Sequence, residues 1–286
     1  MHCEKMMRAR QAFASRTKKN MIGKNMSPEE ISRHRRSLWL RSEGAFGLES
    51  VGKLELASRC PPAQTIGPAQ PLERIAEINV APLMGEPLSR QEKVDRLARL
   101  DAAEVKICTL CRLCETRTNT VFGEGDPEAK IFFIGEGPGE NEDLHGRPFV
   151  GRAGDLLNKM IAGMGLRREQ VFIANIVKCR PPGNRVPAPD EVATCTPYLV
   201  RQLEIIRPRV IVTLGLPAAK YMLESRSTMG KLRGQWHNWR GIKLMPTFHP
   251  AYLLRSYTEE NRGAVWSDLK QVMAEVGLPI PARTRE

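Results

Sequence analysis

The sequence has no run of about 18 consecutive apolar residues, which is the length that a membrane-spanning helix needs. Its N-terminus is basic, but no apolar stretch of the kind found in a secretory signal follows. These two absences predict a cytoplasmic protein that does not cross a membrane. The cysteine count of 7 is odd, and without an export signal this argues against a disulfide framework and for free thiols or a metal site.

Two common nucleotide-binding patterns are missing from the glycine-rich stretch 135–139, Gly-Glu-Gly-Pro-Gly. A dinucleotide-binding turn would need its third glycine at position 140, which is Glu140, and a P-loop would need a following Gly-Lys-Ser/Thr. The stretch comes directly after the apolar run 131–134, which is typical of a buried parallel strand. We interpret it as a ligand-binding turn at a strand's carboxyl end. A tight turn with solvated acids is the plainer alternative.

The charge of the chain is strongly one-sided, with a net charge of +12 and a pI of about 9.6. This balance favours a polyanionic partner such as nucleic acid. Residues 1–44 alone carry 11 Lys and Arg against 4 Glu, and residues 45–88 are rich in Gly, Pro and Ala. We therefore expect residues 1–87 to be a largely disordered basic extension. It is either an arm that follows DNA or a leader without its own fold, and a start codon assigned too far upstream would also explain it.

Beyond residue 88 the pattern changes to strands that alternate with helices, which predicts an α/β fold with a parallel sheet covered by helices on both faces. The first helix should begin at a capping box formed by Ser89 and Glu92. Its apolar residues at helical spacing, which we expect to face a core, are Val94, Leu97, Leu100, Ala103 and Ile107. Predicted strands follow at 131–134, 171–177, 210–214 and 242–248, and further helices at 153–164, 190–206, 217–223 and 262–275.

The cysteines suggest a metal site. Cys108 and Cys111 form a Cys-x-x-Cys pair, and Cys179 and Cys195 lie near the second predicted strand and the helix that follows it. Four thiols of this kind suit zinc or a [4Fe–4S] cluster, whereas a Cys-x-x-Cys can also be redox-active and single cysteines are often buried and inert. Cys114 extends the pair to Cys-x-x-Cys-x-x-Cys and leaves the ligand set open. Cys3 and Cys60, in the extension, are expected to be free thiols.

Three predicted strands carry polar residues at or near their ends, at the same edge of the sheet: the 135–139 turn, Asn175 and His249. An Asn side chain offers a donor and an acceptor side by side, as reading a base edge requires. A His can donate to an oxygen that gains negative charge in a transition state. Taken singly, Asn175 could be a turn residue and His249 a helix cap, but together they indicate one pocket.

Five segments carry a specific resemblance to a known family. They are Cys-x-x-Cys at 108–111, the 135–139 turn, Gly-Arg-Pro-Phe-Val-Gly at 146–151, Asn-Ile-Val-Lys-Cys-Arg-Pro-Pro at 175–182 and His-Pro-Ala-Tyr-Leu-Leu-Arg at 249–255. In this order they resemble the family 4 uracil-DNA glycosylases, the iron–sulfur type. The resemblance covers about residues 89–276 and assigns residues 88–280 to a glycosylase domain.

The resemblance implies a three-layer α/β/α fold with a four-stranded parallel sheet. It implies a [4Fe–4S] cluster with a structural role, held by Cys108, Cys111, Cys179 and Cys195, and Cys114 is not a ligand position in the family pattern. It also implies a monomer that acts on uracil-containing DNA.

The resemblance also implies roles in the pocket. Phe149 resembles the aromatic that stacks on the flipped uracil, Asn175 the amide that pairs with its edge, and His249 the donor to its O2. Gly135 and Gly137 line the pocket at the turn, together with Glu136. Glu142 resembles a group that crowds the 5-position of the base and excludes thymine.

DNA contacts are expected from Arg180 and from the segment Tyr252, Leu253, Leu254 and Arg255, which resembles one that enters the minor groove. Either leucine could be the wedge that fills the gap left by a flipped base. Basic loops that include Arg185, Lys231 and Arg233 could hold phosphates.

One position departs from better-known branches of the superfamily, which place a water-activating Asp in the first motif. Here Glu136 is the candidate for positioning water or stabilising the sugar cation. Because no lysine nucleophile is indicated, we expect a monofunctional hydrolase that leaves an abasic site.

Two alternatives stay open. A related glycosylase for hypoxanthine or xanthine would need a looser pocket than Phe149 and Asn175 suggest. A non-catalytic nucleic-acid-binding module with a zinc or iron–sulfur site would explain the charge and the cysteines, but it would not explain Asn175 and His249 at strand ends.

Overall fold

The computed structural model of the protein describes residues 88–281, so the extension predicted over residues 1–87 lies outside the described residues. Within the described part of the chain, no helix is long and apolar enough to cross a membrane. The α-helices are α1 (Arg90–Leu100), α2 (Glu140–His145), α3 (Gly151–Gly163), α4 (Pro189–Ile206), α5 (Leu216–Leu223), α6 (Met229–Leu232), α7 (Pro250–Arg255) and α8 (Glu259–Val276). The strands are β1 (Glu124–Gly125), β2 (Ile131–Gly135), β3 (Phe172–Asn175), β4 (Val210–Leu214), β5 (His237–Trp239) and β6 (Ile242–Thr247).

The strands form one six-stranded sheet in the order β1-β3-β2-β4-β6-β5. The four inner strands are parallel, as predicted, but β1 and β5 add an antiparallel strand at each edge. The expected four-stranded sheet is therefore the centre of a larger one. The edge strands have only two and three residues, which is too short for a visible two-residue alternation, so the sequence pattern did not predict them.

Helices cover both faces of the sheet, which confirms the α/β architecture. In β2, Phe132 and Ile134 contribute to a core with α1, α4 and α5, whereas Ile131 and Phe133 contribute to a second core with α3 and α8. This division follows from the alternation of side chains along a strand. It explains why the inner strands are continuous apolar runs, because both of their faces are buried.

Helix α1 begins at the predicted capping box: Ser89 Oγ accepts from the Glu92 amide, and the Glu92 side chain accepts from the Ser89 amide at 2.9 Å. Its predicted core face is only partly right. Leu97 and Leu100 are buried, whereas Val94, Ala103 and Ile107 are exposed. The last two are exposed because α1 continues as a π-helix (Asp101–Val105), whose wider turn shifts the buried position to Val105.

The strand order places the ligand site. The chain runs from β2 to β3 on one side and then returns to β4 on the other, so the order reverses beside β2. In such a sheet, ligands bind outside the carboxyl ends of the strands at this switch point. The turn after β2, Asn175 at the end of β3, Gly215 after β4 and His249 after β6 all lie at this edge.

Candidate active site

A cavity of about 790 Å³ opens at the carboxyl edge of the sheet. Residues that follow all four parallel strands line it, and the predicted Glu136, Gly137, Glu142, Phe149, Asn175 and His249 are among them. The structure therefore brings the predicted pocket residues together. Pro138 and Gly139 of the predicted turn line it too. Also lining the cavity are residues that the sequence did not assign to it: Ala153, Pro181, Asn184, Val186, Pro187, Gly215, Leu216, Pro217, Met229, Phe248 and Ala251.

Gly135, Asn175 and Phe149 pack against each other at the pocket wall. Gly135 pairs with Asn175 across β2 and β3, and the Gly135 carbonyl accepts from the Ile176 amide at 3.0 Å. A Cβ atom on Gly135 would lie 2.3 Å from Asn175 Oδ1 and 2.6 Å from Phe149 Cζ. Only glycine therefore lets the amide and the aromatic ring keep these positions.

The Asn175 side chain is 1 % exposed, and its Oδ1 atom has no hydrogen-bond partner among residues 88–281. An unpaired buried carbonyl oxygen costs about 1–3 kcal/mol, so proteins rarely leave one without reason. Because Asn175 lines the cavity, a ligand can supply the missing donor. The amide is thus prepared to accept a hydrogen bond from a molecule in the pocket.

His249 lines the pocket as a neutral ring. Its Nδ1 atom accepts from the amide of Ala251 at 3.0 Å as the N-cap of α7. Burial, and secondarily the charge of Arg255, lowers the pKa of His249 to about 4. A neutral ring that accepts at Nδ1 carries its proton on Nε2, so the Nε2–H group is the available donor.

Phe149 lies beside His249, with ring centroids 5.5 Å apart and ring planes 30° from parallel. Its backbone has φ of +50°, a left-handed conformation that is strained for a bulky residue. Helix α3 passes so close that a Cβ on Gly154 would lie 1.9 Å from the Phe149 carbonyl oxygen. The fold thus holds a flat aromatic surface in the pocket at a cost in backbone strain.

The carboxylates of Glu136 and Glu142 have different environments at the turn. Burial raises the pKa of Glu136, which is half-buried in the pocket wall. Glu142 instead accepts from two backbone amides, Gly139 at 3.1 Å through Oε2 and Val150 at 2.8 Å through Oε1. Glu142 therefore ties the turn to the Phe149 segment, a structural contact that the sequence reading did not predict.

The predicted DNA-binding residues differ in accessibility. Tyr252 and Arg255 are exposed at the pocket mouth and Leu254 is partly exposed, but Leu253 is 2 % exposed and packs in the core. Of the two candidate wedges, only Leu254 therefore has a side chain that reaches the protein surface. Arg180 is partly buried and donates to Asn184 Oδ1 at 2.7 Å.

A second rim of the pocket is the loop 180–187, which carries the exposed Val186. Arg185 anchors the loop through two bonds to Glu191, whose side chain is fully buried. Arg112 reaches the same carboxylate at 3.1 Å. The loop is therefore held by contacts within the protein, and both Arg185 and Arg233, which pairs with Asp268, are engaged in ion pairs.

The four predicted cysteine ligands meet at one small cavity on the α1–α4 side of the sheet. Cys108, Cys111, Cys179 and Cys195 line it, and Cys114 does not. No three Cys, His, Asp or Glu side chains in residues 88–281 lie close enough together to hold one metal ion. A tetrahedral zinc would need its sulfur ligands roughly 3.8 Å apart, so these thiols would have to move to bind a single zinc.

Donors and cations surround these thiols. Arg117 Nη1 donates to Cys179 Sγ at 3.0 Å, and the Lys178 amide donates to Cys195 Sγ at 3.2 Å. Burial raises the pKa of Cys179 to about 11 and that of Cys195 to about 12, so both thiols are neutral at pH 7. A metal group that takes them as thiolates would release their protons. Neither Arg117 nor Lys178 belongs to a recognisable ligand pattern, so the sequence predicts neither contact.

Comparison with known proteins agrees with this geometry. The model of the "Uracil DNA glycosylase superfamily" matches residues 122–270. The type-4 uracil-DNA glycosylase of Thermotoga maritima is 48% identical over 179 residues, which cover 62% of this chain and 93% of that protein. The type-4 enzyme of Sulfurisphaera tokodaii is 49% identical over 178 residues, covering 59% and 80%. The type-5 uracil-DNA glycosylase of Thermus thermophilus is more distant, at 32% over 150 residues, covering 47% and 66%.

The fold, the pocket at the switch point and the match over most of the described domain define the class. The chain belongs to the uracil-DNA glycosylase superfamily and, within it, to the type-4 enzymes. The resemblance seen in the five sequence segments is therefore confirmed.

Proposed function

We propose that the chain removes uracil from DNA by flipping the base into the 790 Å³ cavity and hydrolysing its N-glycosidic bond, without cutting the strand. Removal of uracil from DNA is the activity of the type-4 family to which the chain belongs. The observation that carries the proposal is Asn175 Oδ1, a buried acceptor in the pocket wall without a partner among residues 88–281.

Asn175 is suited to read the edge of uracil. Its Oδ1 can accept from the N3–H group of uracil, and its Nδ2 can donate to O4. Cytosine has the opposite pattern, with an acceptor at N3 and a donor at N4. Both groups of the Asn175 amide would therefore face a group of their own kind and be left unpaired. Phe149 supplies the face on which the base stacks, and Glu142, fixed by its two backbone bonds, is the proposed barrier to a 5-methyl group.

His249 and Glu136 are the proposed catalytic pair. When the glycosidic bond breaks, the electron pair goes to uracil, and negative charge grows on its O2. The Nε2–H group of neutral His249 can donate to that oxygen, as donors do in oxyanion sites. Glu136 can orient the water that attacks the sugar, or stabilise its positive charge. No lysine is among the residues that line the described pocket, which supports hydrolysis without a covalent intermediate.

The mouth of the pocket is the proposed DNA interface. Tyr252 and Arg255 of α7 and Val186 of the loop 180–187 line the cavity, and the partly exposed Leu254 lies between the first two on α7. Leu254 is the proposed wedge that replaces the flipped base in the stack. Arg255 and Arg180 are the proposed phosphate contacts, and Leu253 is left out of this interface because it belongs to the core.

We also propose a [4Fe–4S] cluster held by Cys108, Cys111, Cys179 and Cys195. The support is an all-sulfur donor set around one cavity, with an N–H donor on each of two sulfurs, as iron–sulfur sites commonly have. The cluster, when bound, would supply no redox step and would link α1 and its Cys-x-x-Cys loop to β3 and α4. A monomer that acts in the cytoplasm remains the prediction of the sequence.

The test is base release from a duplex oligonucleotide with one uracil, with hypoxanthine, thymine and cytosine in matched duplexes. Release of uracil alone, leaving an alkali-labile abasic site, is expected. Asn175→Ala should lower that rate by about 100-fold or more while DNA affinity is kept. Asn238→Ala, on β5 outside the cavity lining, is the matched control: it removes a turn bond from the Gly241 amide and should leave the rate of uracil release unchanged.

Two outcomes would contradict the proposal. Salt-dependent DNA binding without release of any base would favour a non-catalytic binding module. Efficient release of hypoxanthine would favour the broader glycosylase. Unchanged turnover in both Asn175→Ala and His249→Ala would show that the residue roles are wrong even if uracil is released.

A further inference from the structure

Lys178 is a buried lysine between the pocket wall and the cysteine cavity. Its side chain is 1 % exposed, and its Nζ atom donates to the backbone carbonyl of Asn175 at 2.9 Å and to Gln202 Oε1 at 2.6 Å. Its own amide donates to Cys195 Sγ. One residue therefore contacts both the proposed base reader and a proposed cluster ligand.

Burying an ammonium group is costly unless its protons are bonded, so this position calls for an explanation. The acceptors that Lys178 uses are themselves fixed. Gln202 is fully buried on α4, and its Nε2 donates to the Phe122 carbonyl at 2.9 Å. The Lys178 carbonyl accepts from the Val121 amide at 2.7 Å. The lysine thus belongs to a network that fixes the chain just after β3.

The position of Asn175 depends on this network. Asn175 is the last residue of β3, and on one side its backbone is fixed by pairing with Gly135. Its carbonyl group is fixed by Lys178. Gly135 has no Cβ, so the Asn175 side chain packs closely against it. The Oδ1 atom of Asn175 has no hydrogen-bond partner among the described residues. The orientation of the side chain therefore comes from this packing and from the backbone, and so depends on the contacts that hold that backbone.

We propose that Lys178 is a positioning residue for uracil recognition, which holds the Asn175 backbone through its Nζ–H···O bond and is itself held by Gln202. The inference rests on the proposed role of Asn175. Lys178 does not touch the base; it acts through Asn175. Its contact with Cys195 ties the orientation of the base reader to the integrity of the cysteine site.

The first experiment compares Lys178→Met with wild type and with Lys159→Met, an exposed lysine on α3. Single-turnover uracil release should fall by about 10- to 100-fold in Lys178→Met, as expected when a recognition group is slightly misplaced. Inhibition by free uracil should weaken, while affinity for uracil-free duplex and bound iron should stay unchanged. Lys159→Met should match wild type in all four measurements.

The second experiment separates positioning from general structural support by using the Asn175→Ala background. If Lys178 acts through Asn175, adding Lys178→Met should lower the single-turnover rate no further, because the group it positions is already gone. A further loss of the same size as in wild type would overturn the proposal. Gln202→Leu should reproduce part of the Lys178→Met effect, and the two changes together should not exceed Lys178→Met alone.

A variant that does not fold or does not retain iron needs a separate test. If Lys178→Met loses iron, Gln202→Leu carries the test, since Gln202 touches no cysteine in its described bonds. Normal free-uracil inhibition in an iron-loaded Gln202→Leu protein would overturn the proposal. If the wild-type protein released no uracil, the proposed function would be wrong. If the wild-type protein released uracil and the Lys178→Met variant released it equally fast, only the role of Lys178 would be wrong.

Discussion

The Nδ1 atom of His249 accepts a hydrogen bond from the Ala251 amide at 3.0 Å, and this contact leaves Nε2 as the ring nitrogen that carries the proton of the neutral ring. A protonated ring could not accept at Nδ1, so the contact and the lowered pKa favour the same neutral state. The helix cap and the proposed catalytic donor are therefore one side chain. The cap orients the ring, and the hydrogen bonds of residues 88–281 include no carboxylate partner for it.

The neutral state of His249 predicts an unusual pH profile. Since its pKa is about 4 rather than 6.5, single-turnover uracil release should show no titration near pH 6.5. The rate should fall only at lower pH, where Glu136, whose pKa burial raises, and then His249 take up protons. Glu136→Gln should remove the first of these steps. An acid limb centred near pH 6.5 in wild type, absent from His249→Gln, would contradict the neutral assignment.

The same pKa predicts how stability changes with pH. Between about pH 6.5 and 4 the unfolded chain binds a proton at His249 that the folded chain does not, so the free energy of unfolding should fall as the pH falls through this window. His249→Gln should lose less stability over that window than wild type. Urea denaturation at pH 7, 5.5 and 4.5 measures the difference, and equal slopes for the two proteins would count against the shift.

Gly135→Ala should damage the pocket more than the fold. The added methyl would collide with Asn175 Oδ1 and Phe149 Cζ, at 2.3 and 2.6 Å, so one of the two groups must move. We expect weaker inhibition by free uracil and a rate loss of about 100-fold, the cost of displacing a reacting group by about 1 Å. Gly263→Ala, whose Cβ meets nothing within 4 Å on α8, is the control and should keep full activity. Equal rates for both variants would show that the wall is not close-packed.

The two adjacent leucines of α7 should have opposite effects. Leu253→Ala removes a core side chain and should lower the free energy of unfolding by about 2–5 kcal/mol. Leu254→Ala should leave stability nearly unchanged, yet slow uracil release from duplex more than from single-stranded DNA, because only the duplex needs the gap to be filled. A Leu254→Ala protein that is equally slow on both substrates would remove this residue from the wedge role.

The cysteine site predicts a clear difference between Cys179 and Cys114. Cys179→Ser should lose bound iron and absorbance near 400 nm, whereas Cys114→Ser, which lies outside the cavity, should keep both. Metal analysis of the purified proteins measures this directly. Colourless wild-type protein with one zinc would overturn the cluster but not the glycosylase assignment, and iron loss in Cys114→Ser would mean that the ligand set is wrong.

The sequence predicted the inner sheet and the meeting of Asn175 with His249 because apolar runs mark buried strands and parallel strands end at one edge. It did not predict β1, β5 or the π-helix, since these depend on pairings and a local change of helical period with no composition signal. The double role of Glu142 and the link from Lys178 to Asn175 were also missed. Both are hydrogen bonds to backbone groups, and any residue type can supply a backbone group, so no side-chain pattern reveals them.

The left-handed backbone at Phe149 limits how this enzyme could be re-engineered. With φ at +50° and Gly154 pressed against the carbonyl, β-branched side chains are strongly disfavoured at position 149. Glycine or asparagine would relieve the strain but remove the aromatic surface. Laboratory selection for a new target base should therefore leave this position unchanged and accumulate its substitutions at the rim, where Val186 and Tyr252 are exposed and free of such backbone constraint.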